Sequence, residues 1–247
     1  MKKILLYSIF LSFCFSGLAQ SPKREFRATW LTTVYRNDWP KSTVITSTGN
    51  SGEIQMQKNE MIAILDSLKR MNANSVCFQV RSRCDTMYKS SYEPWSSDLV
   101  GTRGMDPGYD PLAFVVQEGH KRGIEVHTWI NPYRFESVTN QWSGLPGDHR
   151  STHPEWLLTY PATNNSILNP GHPEVLLQIK KIVAEIVKNY DIDGVIFDDY
   201  FYVSGTTDAM DDAQYKLYNP DKLSRGDWRR QNVNKMVRGV RDTIKSV

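Results

Sequence analysis

The 247-residue sequence has few cysteines, no cluster of like charges and, beyond its first 20 residues, no long apolar segment. Its three cysteines include Cys14 near the amino terminus, so a processed chain would keep only Cys77 and Cys84. These two lack the paired spacing of a zinc site. Burial as small apolar side chains is favoured over a disulfide, which an oxidising compartment would allow. The net charge of +3 is spread along the chain and gives no indication of nucleic-acid binding.

The first 20 residues have the pattern of a secretory signal peptide. Two lysines precede an apolar run from Ile4 to Phe15, and Gly17-Leu18-Ala19 follows with small residues suited to cleavage after Ala19 or Gln20. A membrane anchor is the less favoured alternative, because a span needs roughly 20 apolar residues. We therefore expect an exported protein, periplasmic, outer-surface or extracellular, with no stable membrane span after signal cleavage.

Residues 21–247 are predicted to form one globular domain, since 40% of the sequence is hydrophobic and 23% is charged. Apolar periodicity predicts strands at Phe26–Val34, Ser75–Val80, Ile124–Ile130 and from Gly194 to Phe197, and helices at Met56–Met71, Pro111–Arg122, Pro173–Asn189 and Asp227–Val247. Long polar loops follow the strands, at Tyr35–Gln55, Ser82–Asp110, Phe135–Gly171 and Val203–Gly226, whereas short turns follow the helices.

Strands that alternate with helices imply a parallel sheet with right-handed crossovers. Long loops at the carboxyl ends of the strands are typical of the (βα)8 TIM barrel. Only about the first four βα units are recognisable, whereas eight occupy roughly 250 residues. We therefore expect an α/β fold of TIM-barrel type that is truncated to its amino-terminal half. A native open four-stranded sheet is the alternative.

Two adjacent carboxylates, Asp198 and Asp199, end the apolar strand that closes at Phe197. A carboxylate at a strand's carboxyl end can act as nucleophile, general base or charge stabiliser. Strand alternation predicts that the two point to opposite sides of the sheet, so that one is catalytic and the other supports it. Helix capping or an ion pair with Arg81 or Arg134 is the structural alternative.

Further polar and aromatic residues belong to the same strand ends. Gln79 shares a strand face with Arg81, and His127 is in phase with Trp129 and Asn131. His127 is also compatible with a satisfied core histidine. The predicted substrate-binding residues are Gln79, Arg81, His127, Trp129, Asn131, Tyr133, Arg134 and Tyr200.

Aromatic residues are frequent in the long loops, where they can stack on sugar faces or pack the loops together. As a set they favour a carbohydrate groove; the residues are Trp39, Tyr88, Tyr92, Trp95, Tyr133, Trp142 and Tyr202. The loop histidines His149, His153 and His172 are interpreted as structural.

Several ordered motifs resemble the glycosyl hydrolase-like 10 family of secreted bacterial proteins with a TIM-barrel catalytic domain. They cover about residues 25 to 247 and are Arg27-Ala28-Thr29-Trp30-Leu31-Thr32-Thr33, Phe78-Gln79-Val80-Arg81, Glu93-Pro94-Trp95-Ser96, Pro107-Gly108-Tyr109-Asp110-Pro111-Leu112, Asn131-Pro132-Tyr133-Arg134, Leu168-Asn169-Pro170-Gly171 and Asp193-Gly194-Val195-Ile196-Phe197-Asp198-Asp199-Tyr200. The fourth strand also resembles that of amylase-type barrels. That resemblance assigns the nucleophile to Asp198 through Asp193-Gly194, although Ile196 replaces a residue that is often polar.

The resemblance implies a secreted glycoside hydrolase that cleaves O-glycosidic bonds of a polysaccharide or oligosaccharide, with a cell-wall glycan as one candidate. In such barrels the catalytic acid comes from a later strand, so a non-catalytic glycan-binding protein or inactive fragment is the alternative. A metal-dependent hydrolase using Asp198, Asp199 and His127 is a third, weaker hypothesis. No metal or organic cofactor is expected, and the sequence leaves the sugar, the linkage and the stereochemistry open.

Overall fold

A computed structural model describes residues 25–41, 43–136, 145, 147–160 and 165–247. The predicted signal peptide at residues 1–20 and the aromatic Trp142 lie outside these residues. Within the described ranges, no helix combines the length and the apolar character that a membrane span requires.

The described strands are, in chain order, β1 (Ala28–Leu31), β2 (Ser75–Arg81), β3 (Glu125–Ile130), β4 (Arg134–Glu136), β5 (Leu157–Tyr160), β6 (Asn165–Leu168) and β7 (Gly194–Phe197). In the described part of the chain, the main sheet has four parallel strands in the order β1-β2-β3-β7. Every residue of β2 is buried, as expected for an inner parallel strand covered on both faces. The prediction of a parallel α/β fold is confirmed.

The described α-helices are α1 (Ser51–Arg70), α2 (Pro111–Lys121), α3 (His149–Thr152), α4 (Pro173–Asn189), α5 (Asp212–Leu217) and α6 (Arg225–Ser246). Local sequence fixes the starts of the four longer helices, because side chains of residues such as Asn50 and Asp110 accept hydrogen bonds from the first helical turn. α1 begins at Ser51 rather than at the predicted Met56, since Asn50 caps it earlier. α4 and α6 pack against each other. Trp228 of α6 is fully buried, and its ring fills the space where a side chain at Gly171 would lie.

Strand β1 ends at Leu31, before the predicted Val34. The backbone N–H groups of Thr33 and Val34 donate to the side chain of Gln79 instead of continuing the ladder. A 3-10 turn follows at Val34–Arg36. The long strand predicted at Phe26–Val34 is therefore wrong at its carboxyl end, because a side-chain amide replaces the strand partner.

Two predicted loops contain regular structure. Within Phe135–Gly171, strands β5 and β6 form a hairpin that extends from β4, giving a second, antiparallel sheet of order β4-β6-β5. Within Val203–Gly226, a 3-10 helix at Asp208–Asp211 leads into α5. The interpretation of both segments as irregular loops is wrong, because elements of three to six residues are too short to show a period.

The main sheet is open in the described residues, with β1 and β7 at its edges. Its inner face carries Trp30, which is 48% exposed, whereas Phe78 on the opposite face is fully buried. Cys77 and Cys84 are both buried free thiols, which confirms the interpretation as small core side chains. The expectation of a truncated barrel stays a prediction.

Candidate active site at the carboxyl ends of the strands

Asp198 and Asp199 lie side by side against one amide group. The Nδ2 of Asn131, one residue beyond β3, donates to Asp198 Oδ1 at 2.5 Å and to Asp199 Oδ1 at 2.9 Å. Regular strand geometry ends at Phe197, and Tyr200 adopts a left-handed conformation with a φ of 63°. The prediction that the two carboxylates point to opposite sides is therefore wrong, because strand alternation no longer applies beyond Phe197.

A second buried amide holds Asn131 in place. Gln79 Nε2 donates to Asn131 Oδ1 at 2.7 Å, which fixes the Asn131 amide with its N–H groups toward the carboxylates. Gln79 Oε1 in turn accepts hydrogen bonds from the backbone of Thr33 and Val34, both at 2.9 Å. Gln79 and Asn131 are each only 1% exposed. Their amides therefore form a continuous relay, the Gln79–Asn131 relay, from the end of β1 to the aspartate pair.

The surroundings of Asp199 favour the neutral form of its carboxyl group. The pKa of Asp199 is raised by burial, by the negative charge of Asp198 and by a hydrogen bond with that neighbour, while the positive charge of Arg134 opposes the shift. Two adjacent carboxylates on one donor repel each other when both are ionised. Asp199 therefore holds its proton to a higher pH than an ordinary aspartate does.

Arg81 lies beneath this site and is 1% exposed. Its guanidinium binds both carboxylate oxygens of Glu93, at 2.6 and 2.7 Å, and donates to the backbone oxygens of Asn131 and Pro132. The proposed structural alternative of an ion pair with the aspartates therefore does not apply to Arg81, whose charge is satisfied by Glu93. Arg81 fixes the backbone that carries Asn131.

Arg134 and Tyr200 border the pair on its outer side. The Arg134 guanidinium lies 4.6 Å from the ring centre of Tyr200 and 5.7 Å from that of Tyr35. Both predicted binding residues are partly exposed, so they can reach a ligand. Tyr133 is 1% exposed and packs edge-on against Phe201, and burial raises its pKa. The hydroxyl of Tyr133 is therefore held inside the protein.

His127 lies near the opposite end of β3. It pairs in register with Gly194, the first residue of β7, and a side chain on Gly194 would come within 2.3 Å of the imidazole. Its ring packs against Phe26 and its Nε2 lies 3.2 Å from Glu125. Asp198 is four residues beyond Gly194, or about 13 Å along a strand. The structure therefore does not bring His127 to the aspartate pair.

Trp129 occupies the middle of the inner sheet face. It aligns with Gln79 and Ile196 and packs edge-on against Trp30, with ring centres 4.7 Å apart. This position is below the carboxylates, at the level of the strands themselves. Trp129 thus stabilises the sheet face.

A cavity of about 730 Å³ adjoins Tyr200, between the β5–β6 hairpin and the segment after β7. It offers hydroxyl groups and apolar surface from Thr159, Tyr160, Asn165, Ile167, Tyr200, Val203, Ser204, Gly205, Thr207, Ala209 and Met210. Apart from Tyr200, these residues are not among those predicted from the sequence, because local patterns indicate neither the hairpin nor the structure that follows β7. The Asn165–Leu168 segment is too short and mixed to show strand alternation.

Three of the six described loop aromatics predicted as candidates for sugar stacking serve the packing of the loops. Trp39, Tyr88 and Tyr133 are at most 1% exposed. Trp95 and Tyr202 are half-buried, and Tyr92 is 36% exposed. Only the second group has surface to offer a ligand.

The open parallel sheet, with polar groups at its carboxyl ends, defines an α/β protein of TIM-barrel type. The α-L-fucosidase isoenzyme 2 from Paenibacillus thiaminolyticus is structurally similar, with a TM-score of 0.57 and 16% sequence identity. The similarity covers 91% of this chain and 31% of the fucosidase. It confirms the TIM-barrel fold class, while the described sheet is not closed.

The sequence model of the family described as glycosyl hydrolase-like 10 matches residues 25–247, and the chain belongs to that family. The glycosyl hydrolase YngK of Bacillus subtilis (strain 168) is 40% identical over 98% of this chain and 46% of YngK. The glycosyl hydrolase DigH of Escherichia coli (strain K12) is 37% identical over 92% of this chain and 54% of DigH. The chain thus spans about half the length of the curated relatives it matches. These findings support a glycoside hydrolase-like function.

Proposed function

We propose that the chain forms part of an exported glycoside hydrolase that cleaves O-glycosidic bonds of a polysaccharide, with a cell-wall glycan as one candidate substrate. The observation that carries the proposal is the aspartate pair held by Asn131 at the carboxyl ends of the strands. Membership of a glycosyl hydrolase-like family supports the reaction class. The signal-like residues 1–20 support export.

Asp198 is the proposed nucleophile or principal charge stabiliser. Asn131 aligns its oxygen, and the raised pKa of Asp199 favours a neutral carboxyl group beside it. Glycoside hydrolysis uses two carboxyl groups that flank the scissile bond. Because Asp198 and Asp199 contact the same nitrogen atom, they lie on the same side of a bound sugar. The second catalytic carboxyl group therefore comes from outside this pair.

Arg134, Tyr200 and the adjoining cavity provide a surface for the sugar. The Arg134 guanidinium can donate hydrogen bonds to hydroxyl groups, and Tyr200 can present an aromatic face. The hydroxyl-bearing side chains of the cavity extend this surface along the β5–β6 hairpin. A polysaccharide chain, rather than a compact metabolite, suits such an extended cleft.

The decisive experiment compares Asp198→Asn with the unchanged full-length protein. Reducing-sugar release from insoluble glycans is expected to fall by at least about 10³-fold, because the reacting carboxylate is lost. Asp191→Asn is a matched control, since Asp191 lies on the same segment with a side chain that is 95% exposed. Undiminished release by Asp198→Asn would refute the assignment.

A glycan pull-down with the same proteins separates catalysis from binding. An active hydrolase releases sugar, and its Asp198→Asn variant retains glycan without release. A wild-type protein that is retained on glycan and releases no sugar would instead be a non-catalytic glycan-binding protein.

A further inference from the structure

A second group of polar side chains lies away from the aspartate pair, where the β4-β6-β5 sheet meets the start of α4. His153, Glu155 and Glu174 each offer a ligand atom, and these atoms lie within 4.8 Å of one another. The Nδ1 of His153 is 3.2 Å from Glu155 Oε1. We infer that these three residues form a binding site for a divalent transition-metal ion, with Zn²⁺ as the ion that best fits the ligands.

Trp156 organises two of the three ligands. Its indole N–H donates to Glu174 Oε2 at 3.1 Å, and its ring stacks on the His153 imidazole at 4.1 Å with an 11° interplanar angle. Trp156 itself is only 7% exposed. Hydrogen bonds and packing of this kind hold ligands in place before the ion arrives. The other oxygen of Glu174 remains available to the ion.

The positions of the ligands are set by the start of α4. Glu174 follows Pro173 in the first helical turn, and the His172 side chain caps that turn by accepting the Glu174 N–H. Glu155 lies in a 3-10 turn that begins with Pro154. Two ligands therefore lie in the first turns of helical segments that begin with proline, which restricts the backbone there.

The donor set favours zinc over calcium or magnesium. Zinc accepts imidazole and carboxylate ligands together, whereas calcium and magnesium prefer oxygen ligands alone. Zinc bonds of about 2.0–2.2 Å place tetrahedral ligands roughly 3.3–3.6 Å apart, so the side chains need to close by only about 1 Å. Within the described residues, neither carboxylate forms an ion pair with a lysine or arginine, and Glu155 pairs with His153. Their negative charge is thus available to a cation.

Another cluster of potential ligands, Cys84, Glu93 and His149, is less suited to an ion. The buried Arg81 guanidinium donates to both Glu93 oxygens and also to Cys84 Sγ at 2.9 Å. A positive charge already occupies the place of a metal ion. A divalent cation would have to displace Arg81 from its buried partner.

The inferred site gives the β5–β6 hairpin a fixed base. Glu155 and Trp156 directly precede β5, and Tyr160 at the other end of β5 lines the 730 Å³ cavity. A metal ion that joins Glu155 to Glu174 would link this hairpin to α4. The role is structural, and ion binding at this site does not depend on the proposed hydrolysis.

Calorimetric titration of the metal-free chain with ZnCl2 tests the site. We expect one Zn²⁺ to bind the unchanged chain, and the affinity to fall at least about tenfold in Glu174→Gln, which retains an acceptor for Trp156. Zinc should also raise the Tm of the unchanged chain and have little effect on the Tm of the variant. His153→Gln should weaken binding similarly, because it removes a different ligand.

Glu125→Gln is the matched control. Glu125 lies 3.2 Å from His127 at the same two-residue spacing as His153 and Glu155, but the described part of the chain supplies no third ligand to this pair. Its removal should leave zinc affinity unchanged. Full-strength binding by both Glu174→Gln and His153→Gln, or loss of binding in Cys84→Ala, would overturn the inference. Equal Tm values in the presence of EDTA would show that the variants are folded.

Discussion

At the residue scale, Asn131 is the group on which the aspartate pair depends. It donates to both carboxylates, and Gln79 fixes its orientation. In Asn131→Ala, the carboxylates lose their common donor and their alignment. We expect kcat for glycan hydrolysis by the full-length protein to fall about 10²-fold with little change in KM, as is typical for misplaced catalytic groups.

Asn74→Ala provides the control for this prediction. Asn74 ties β1 to its neighbour at the other end of the sheet, where it accepts from the backbone of Arg27 and donates to that of Glu25. Its loss should lower stability and leave kcat unchanged at temperatures where the variant is folded. Equal losses of kcat in both variants would indicate a general effect on the sheet.

The raised pKa of Asp199 predicts a pH dependence. Activity that depends on protonated Asp199 falls as the pH rises through this pKa, because a second negative charge then appears beside Asp198. Asp199→Asn cannot ionise and should lose this alkaline limb. The measurement is kcat/KM against pH for both proteins; an identical alkaline limb in the variant would assign it to another group.

The polar residues at the strand ends could be predicted from the sequence, but the hydrogen bonds among them could not. Asp198, Asn131 and Gln79 were all identified, because polar residues directly after apolar strands are conspicuous. Their mutual hydrogen bonds depend on how β2, β3 and β7 align, which no periodicity specifies. His127 is predicted to join them because it lies on the same strand face as Asn131. The alternation of side chains specifies the face of the sheet, but it does not specify the distance from the carboxyl end of the strand.

At the element scale, Gly194 shows how β7 fits beside β3. A Cβ at this position would lie 2.3 Å from Nδ1 of His127, which is itself enclosed by Phe26. We expect Gly194→Ala to lower the free energy of unfolding by about 1–3 kcal/mol through overpacking. Urea denaturation followed by circular dichroism would measure the change.

Gly226→Ala is the opposite case. Gly226 lies in the first turn of α6, where a methyl group would meet the Arg230 side chain at 3.5 Å, an ordinary contact. Alanine should stabilise the helix by up to about 1 kcal/mol. A similar destabilisation in both variants would argue against the specific clash at Gly194.

Helices could be located from the sequence more reliably than short strands. Pro111 after the cap Asp110, and Pro173 after His172, mark helix starts through local contacts that neighbouring residues supply. Strands β4, β5 and β6 have three or four residues each and form through pairing with one another. Such strands owe their existence to partners distant in sequence, so local patterns did not indicate them.

At the scale of the whole molecule, the open sheet predicts self-association of the chain. Trp30 is 48% exposed on the inner face of the edge strand β1, and unpaired edges with apolar surface favour contacts between copies. We expect the apparent mass in light scattering to rise with concentration, and Trp30→Thr to reduce this rise.

Met71→Thr is the control for this effect. Met71 is 67% exposed, more than Trp30, but it follows α1 and is remote from the inner sheet face. Association that responds equally to both substitutions would reflect general surface hydrophobicity. A constant mass at all concentrations would contradict the prediction.

The family and the parallel α/β architecture could be predicted from the sequence. Different family motifs, such as Asn131-Pro132-Tyr133-Arg134, are distributed along nearly the whole matched region. The orientation of the Asp199 side chain could not be predicted, because the left-handed conformation of Tyr200 changes the chain direction just where the strand pattern ends.

Backbone amide groups just after β1 can also report on the Gln79–Asn131 relay. The amide protons of Thr33 and Val34 are bound to Gln79, which holds the amide that holds both aspartates. Their exchange with deuterated solvent requires the relay to open. The exchange rates of these two backbone protons would therefore report how often the Gln79 end of the relay opens.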